Sequence, residues 1–378
     1  MEVEAAKSVA LIVGITGMVG LNLAEALKKP RAPGGPWAVY GTARSAKPSW
    51  FSSSLVDGYI QFDLRDYEAT HRELFPLANQ VTHLFWMTFY YCDTEESNIA
   101  ANSTMLANVL RVLTLSPISP LHHVTLLTGT KQYMGPIFDP VLGSRVVPHE
   151  SPFREESDRL PFPNTYHALE DLLVSFSPKF TWSVHRSSII FGASARSSHN
   201  ILLTFAAYAL ICRREGSPFR FPGSRFTWEH FCDASDAGLL AEQQIWAATT
   251  TTAMAKNQAF NCTNGDVFTW KYLWKVLCEV FDVEFVAFNE GDKFDWLEEM
   301  KNKGKVWDAI VEENGLCKTN LEDITCFNAA NVVLNFRLQH VCSMTKSREF
   351  GFFGFADSAK SVKKWVEKMR DMNIIPKT

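Results

Sequence analysis

No two of the eight cysteines stand at the CxxC spacing of a zinc site, and their scatter is too sparse for a disulfide framework. That argues for reduced thiols and a cytoplasmic setting. Charge of one sign is also missing. The 37 basic and 41 acidic residues give a formal charge of −4, so no whole-chain field draws the protein to nucleic acid or an anionic membrane. Long hydrophobic runs are absent too: Ile201 to Cys212 is too short to span a bilayer and ends on Arg213 and Arg214, so it reads as a buried helix. Met1 to Lys7 carries two glutamates and lacks the basic start of a signal peptide. No internal repeat occurs, and His122 and His123 have no third ligand at metal spacing, so no metal site is expected. What is present is 46% hydrophobic and 13% aromatic content over 378 residues, ample for a large core with a smaller lobe.

The order of patterns is that of an α/β chain. Val9 to Val13 is a strand-length apolar run, the glycines of Gly14 to Gly20 follow, and Leu21 to Lys28 reads as a helix. Strands are predicted at Ala38 to Thr42, Tyr59 to Asp63, Val81 to Met87, His123 to Thr128 and Thr181 to Ile190. Helices fall between them at Asp66 to Leu77, Glu95 to Leu115 and Tyr166 to Phe176. This alternation predicts a Rossmann-type, doubly wound parallel sheet over residues 1–196. A smaller, mainly helical substrate and lid lobe is expected over 197–378, with parts of 225–265 returning to the first domain.

Gly14-Ile15-Thr16-Gly17-Met18-Val19-Gly20 lies between the first strand and the first helix, where absent side chains let backbone N–H groups approach a diphosphate. At the end of the second strand an NAD site usually places an acidic residue on the ribose. Here Thr42-Ala43-Arg44 stands instead, and the Arg44 guanidinium, supported by Lys47, suits the 2′-phosphate of NADPH. Asp63 and Leu64 are placed to touch adenine, although Asp63 could equally cap the next helix.

Tyr166-His167-Ala168-Leu169-Glu170 has the tyrosine of a short-chain dehydrogenase YxxxK motif but glutamate where the lysine belongs. A carboxylate there would raise the phenol's pKa. Lys131, in Thr128 to Pro136 just beyond the fifth strand, is a cation that could serve instead.

On these segments the sequence resembles the plant progesterone 5β-reductase and iridoid synthase family, an atypical branch of the short-chain dehydrogenase/reductases. The resemblance is carried by GITGMVG at Gly14 to Gly20, TAR at Thr42 to Arg44, GTKQYMGP at Gly129 to Pro136 and NTYHALED at Asn164 to Asp171. It extends through Cys232 to Trp246, Phe260 to Leu277 and Ser343 to Phe355. It implies NADPH-dependent 1,4-reduction of an enone or enal, from a steroid such as progesterone to a monoterpene such as 8-oxogeranial. Tyr166 would hold the enolate oxygen, and Lys131 would assist.

It further implies that Thr88, Thr128, Gly129, Ser187 and Ile190 join the glycine loop at the cofactor, and that Phe89, Tyr133, Met134, Phe327 and Ala329 line the substrate pocket. The partner is then a small lipophilic enone or enal, with a homodimer as one open assembly. The chain departs from the family at Gln132, at His167, at Phe89-Tyr90-Tyr91, at Asn328-Ala329-Ala330 and after Arg186. An ordinary carbonyl reductase of the extended branch and a non-catalytic NADPH-binding sensor are the alternative readings.

Overall fold

A computed structural model describes residues 8–292 and 294–377, so the reading of Met1 to Lys7 lies outside the described residues. Six strands follow in chain order: β1 (Ser8–Val13), β2 (Trp37–Ala43), β3 (Gly58–Gln61), β4 (His83–Trp86), β5 (His123–Gly129) and β6 (Thr181–Ser187). Two short pairing strands, β7 (Ile189–Phe191) and β9 (Ala234–Asp236), run parallel to each other, while β8 (Phe231–Cys232) pairs antiparallel with Phe268–Thr269. The last strand of the main sheet is β10 (Gln258–Cys262), parallel to β6.

The resulting seven-stranded sheet is parallel throughout, in the order β10-β6-β5-β4-β1-β2-β3. The order reverses between β1 and β4, and ligands of such sheets bind at that reversal, beyond the strands' C-terminal ends. Layers of helix cover both faces. α1 (Met18–Leu27) packs with Ala237–Thr249 on one side, while α2 (Tyr67–Leu74), α3 (Glu95–Leu113) and α5 (Thr165–Ser175) cover the other. Between β5 and α5 lies α4 (Lys131–Met134), a single turn.

The sequence reading and the structure part at three places. The helix begins at Met18 rather than Leu21, because the last residues of the glycine loop form its first turn. The helix predicted to Leu77 ends at Leu74, where Pro76 turns the chain into a 3₁₀ segment, as a ring without an N–H must do. The apolar run to Ile190 is two strands, not one. Ser188 breaks it: its N–H donates to Ser235 Oγ and its hydroxyl to the Asp233 carbonyl, which carries the chain from the main sheet to β9.

Beyond residue 197 the chain is largely helical. α6 (Ile201–Glu215) is buried along Ile201 to Cys212 and closes on Gly216 in the left-handed region. It packs against Trp270–Phe281 and Phe327–Leu334 in a core with Phe205, Tyr208, Trp274 and Trp296. Among the described residues no helix is long and apolar enough to cross a membrane, no metal-binding cluster occurs, and the eight cysteines are free thiols.

Candidate active site

A cavity of about 550 Å³ opens above the C-terminal ends of β1, β2, β4 and β5. That volume lies within the roughly 300–1,000 Å³ usual for small-molecule sites. Its floor is the glycine loop. Gly14 sits at φ +90°, and a Cβ there would come within 2.8 Å of the Met87 carbonyl oxygen, so only glycine fits. Gly20 does not line the cavity. A Cβ on it would stand 2.3 Å from the Gly14 carbonyl oxygen, so its part is to let α1 pack onto the turn.

Gly14, Thr16, Gly17, Met18 and Val19 face the cavity; Gly17 has no side chain to cap α1, and the first N–H of the helix, that of Met18, donates to the Ser197 hydroxyl at 2.9 Å. Thr42, Ala43, Arg44, Asp63, Leu64, Thr88, Thr128, Ser187 and Ile190 complete the lining expected for a cofactor. Among the described residues the Thr42 and Thr128 hydroxyls are buried without a hydrogen-bond partner. The glycine cradle at the start of α1, with this lining, fits a dinucleotide.

Charge at the far end of the cavity differs from the sequence reading. Arg44 lines the cavity with its guanidinium 5.6 Å from the Tyr90 ring centroid, but the Lys47 amine turns aside to the Ser53 hydroxyl at 2.6 Å. A second cation, Arg196, lines the cavity instead, and its charge acts on Tyr59, whose hydroxyl donates to the Ser45 carbonyl. Sequence spacing could not reveal it, since it arrives from the segment after β7. Asp63 pairs with Arg65 at 2.6 Å, which holds its carboxyl below the usual range; Asp66 is the residue that caps α2.

The tyrosine and lysine motifs meet through α5. Asn164 caps that helix, accepting from the Tyr166 N–H, while its amide donates to the Lys131 carbonyl. Tyr166 reaches the cavity and packs edge-on against Phe89, with ring centroids 6.0 Å apart. Gly129 is not part of the lining; its missing side chain leaves room near the Tyr166 hydroxyl, 3.6 Å from where a Cβ would stand. The Lys131 ammonium lies 4.9 Å from the Tyr166 ring centroid and 5.5 Å from that of Phe89, behind the cavity wall rather than in it.

The residue that holds Lys131 was not foreseen. Glu95, the first residue of α3, accepts from the Lys131 amine at 2.6 and 2.8 Å and from the Thr165 N–H and hydroxyl at 2.5 and 2.7 Å. Burial pulls the Lys131 pKa down and the Glu95 carboxylate opposes that shift. Burial and the Glu95 charge both push the Tyr166 phenol up.

Glu170 was expected to act on Tyr166, but it makes a two-pronged pair with Arg186, whose Nε and Nη2 donate to its two oxygens at 3.3 and 3.2 Å, and faces away. Gln132 donates to Glu170 at 3.3 Å, and His167 shares that side of α5; neither lines the cavity. These two departures from the family pattern therefore leave the cavity wall untouched.

Four residues expected in the substrate pocket also lie elsewhere. The Tyr133 hydroxyl donates to Asn261 at 2.6 Å, and its ring stacks on Phe153 in a separate small core with Met134. Phe327 packs edge-on against Trp296 on the helical side, and neither it nor Ala329 lines the cavity. Phe89, Tyr90 and Tyr91 all do, and His199 stacks on Tyr91.

Solved structures share this fold at low identity. A UDP-glucose 4-epimerase of Thermotoga maritima, solved with UDP-glucose, superposes with a TM-score of 0.65 over 96% of this chain and 99% of its own, at 14% identity. A UDP-glucuronic acid 4-epimerase of Bacillus cereus, solved with NAD, gives 0.64 over 97% and 99%, at 11%.

Curated relatives are nearer in sequence. A (S)-8-oxocitronellyl enol synthase of Camptotheca acuminata is 46% identical over 374 residues, 98% of this chain and 94% of its own. A 3-oxo-Delta(4,5)-steroid 5-beta-reductase of Arabidopsis thaliana is also 46% identical with the same coverage. The enol synthase of Catharanthus roseus is 45% identical over 373 residues, 98% and 93% of the two chains. Residues 53–376 match the model of the PRISE-like Rossmann-fold domain, and with these relatives the chain belongs to that family, the progesterone 5β-reductase and iridoid synthase oxidoreductases.

Proposed function

We propose that the protein reduces the C=C bond of an α,β-unsaturated ketone or aldehyde, using NADPH, with Tyr166 donating a hydrogen bond to the oxygen that becomes an enolate. NADPH, when bound, supplies the hydride for the β-carbon. The observation that carries the reading is a phenol that lines the cavity and is held in its protonated form. Burial and Glu95 both favour the neutral hydroxyl, and no cation stands at the YxxxK position. A neutral phenol is a poor base for alcohol oxidation and a good donor to developing negative charge.

Lys131 acts through the ring. Its ammonium, fixed by Glu95, sits over the Tyr166 π-face and favours electron flow away from the hydroxyl, so we assign it a positioning and polarising part. Phe89 and Tyr91 give an apolar wall for the carbon skeleton. The names of the relatives, an enol synthase and a steroid 5-beta-reductase, agree with 1,4-chemistry on small and on large substrates. The direct test is incubation with NADPH and a panel of enones and enals. Saturated carbonyl or its enol is the expected product, and an allylic alcohol would overturn the reading.

Arg44 and Arg196 support the choice of NADPH, being two guanidinium groups on the same cavity as the glycine loop. Arg44→Ala is expected to weaken NADPH binding by about 10- to 100-fold, the loss of charged hydrogen bonds to one phosphate, while NADH binding changes little. Titration of cofactor fluorescence with both dinucleotides measures it.

A further inference from the structure

The Lys131 ammonium is carried by α4, a helix of four residues, and a single turn has too few hydrogen bonds to hold its own place. What holds it comes from outside. The Thr130 N–H donates to the Ser187 carbonyl at 2.9 Å, and the Lys131 carbonyl accepts from Asn164 at 2.9 Å. Thr130 supplies a third tie. It stands where a capping residue would, yet its hydroxyl meets His340 Nε2 at 2.7 Å, across 210 positions of chain, instead of the turn's own amides.

The imidazole reaches that point on a fixed support. On one side the Asp233 N–H donates to the His340 carbonyl at 2.9 Å, and the Asp233 carboxylate accepts from the Cys342 N–H at 2.6 Å. On the other the Phe153 N–H donates to the Val341 carbonyl at 2.9 Å, and the Phe153 and Phe336 rings stand 5.9 and 5.5 Å from the imidazole. Nδ1 of the imidazole lies 3.3 Å from the Ser188 hydroxyl. That hydroxyl gives its proton to the Asp233 carbonyl, so toward the ring it can only accept. Nδ1 therefore carries the ring proton, and the bare Nε2 accepts from Thr130. Burial lowers the His340 pKa to about 4, which keeps the ring neutral and this order of donors in place at neutral pH.

We propose that His340 is a positioning residue for the reduction: by joining Thr130 to Ser188 it clamps the Lys131 turn onto the break between β6 and β7, and so fixes the ammonium over the Tyr166 ring. His340 does not line the cavity, so it acts through the turn and not on the substrate. This rests on the part given to Lys131 above and adds the residue that keeps it in place.

Thr130→Val removes the hydroxyl at nearly constant shape, and His340→Phe removes both nitrogens while keeping a ring. Each is expected to lower kcat for enone reduction by about 10-fold, with enone KM and NADPH Kd within about 2-fold of wild type, since a small misplacement beside the reacting centre is costly. Thr130→Ser, which keeps the donor, should restore most of kcat. Both changes together should cost no more than either alone, because they break the same tie. In the background Lys131→Met with Glu95→Gln no ammonium is left to place, and there Thr130→Val should cost less than about 2-fold.

Wild-type kcat in Thr130→Val overturns the proposal. So does a loss just as large in the background without the ammonium, which makes the tie a general support of the fold, and so does a loss that Thr130→Ser leaves unrepaired. Thermal unfolding checks each protein, and the Thr130 variants decide if His340→Phe does not fold. Hydrogen exchange reads the clamp without turnover. The Tyr133, Met134 and Gly135 amides, bonded to the Thr130 and Lys131 carbonyls, should exchange about 10-fold faster in Thr130→Val while those of α5 keep their protection. If no enone is reduced the reductase reading fails, and unchanged exchange in the turn then overturns the clamp separately.

Discussion

Tyr166→Phe is expected to lower kcat for enone reduction by roughly 10²–10³, the usual effect of deleting one donor to a developing oxyanion. NADPH binding should change far less, because the phenol hydroxyl lies beside Gly129 rather than at the glycine loop. Ground-state binding of the enone should also change little if the hydrogen bond strengthens mainly as charge develops, so the loss falls on kcat more than on KM.

The pH profile provides a second, independent readout. The phenol's pKa is raised above its ordinary value of 10.0. The donor form therefore persists from neutral pH past the ordinary value, and the wild-type profile should show no basic limb from this group below about pH 10. A mechanism needing phenolate would show the opposite, with rates climbing as pH rises. Steady-state kinetics of both proteins across pH 6 to 9.5 separates the two.

How much of this site could be read in advance follows from how each part is built. The glycine loop is a local device: strand, turn and helix N-terminus are contiguous, so Gly14 to Gly20 carried its own context, and Arg44 followed at the end of the next strand. Six strands of the parallel sheet were equally legible, since period and length distinguish them from the helices; β10, which returns to the sheet from beyond residue 197, was not read as a strand.

Residues brought together by the closing of the cavity were not legible. Glu95 reaches Lys131 across 36 positions and Thr165 across 70; Arg196 and His199 come from the far side of the β6–β7 break. A buried carboxylate at a helix start looks in sequence like any favourable first-turn acid.

The misplaced pocket residues have a geometric cause. Lys131 and Tyr133 are neighbours in sequence, but α4 is a true helical turn. Two positions along it rotate a side chain by about 200°, so when one faces Tyr166 the other faces Phe153. Glu170 is misread for a related reason. A position one turn beyond Tyr166 suggests contact, yet a guanidinium on β6 offers that carboxylate a two-pronged partner, and the side chain takes it.

Removing either member of the Lys131–Glu95 pair is expected to reduce stability by about 3–5 kcal/mol, because each leaves the other charge unmatched in a site out of contact with bulk water. The side chains are only 9% and 4% exposed, so solvent cannot replace the lost partner. Glu95→Gln should be the milder of the two for folding, as its amide oxygen can still accept from Thr165.

The informative protein is the double variant Lys131→Met with Glu95→Gln. No uncompensated charge remains in it, and much of the stability should return, giving a coupling energy well outside the near-additivity of independent sites. Activity need not return with it. If the ammonium serves only to neutralise Glu95, the double variant should reduce enones at close to the wild-type kcat. If it polarises the Tyr166 ring as proposed, kcat should stay depressed in a folded, NADPH-binding protein, and adding Tyr166→Phe should then cost less than it does in the wild-type background. Chemical denaturation of the four proteins of the cycle, with kcat measured on the folded ones, separates the structural share of the pair from its share in catalysis.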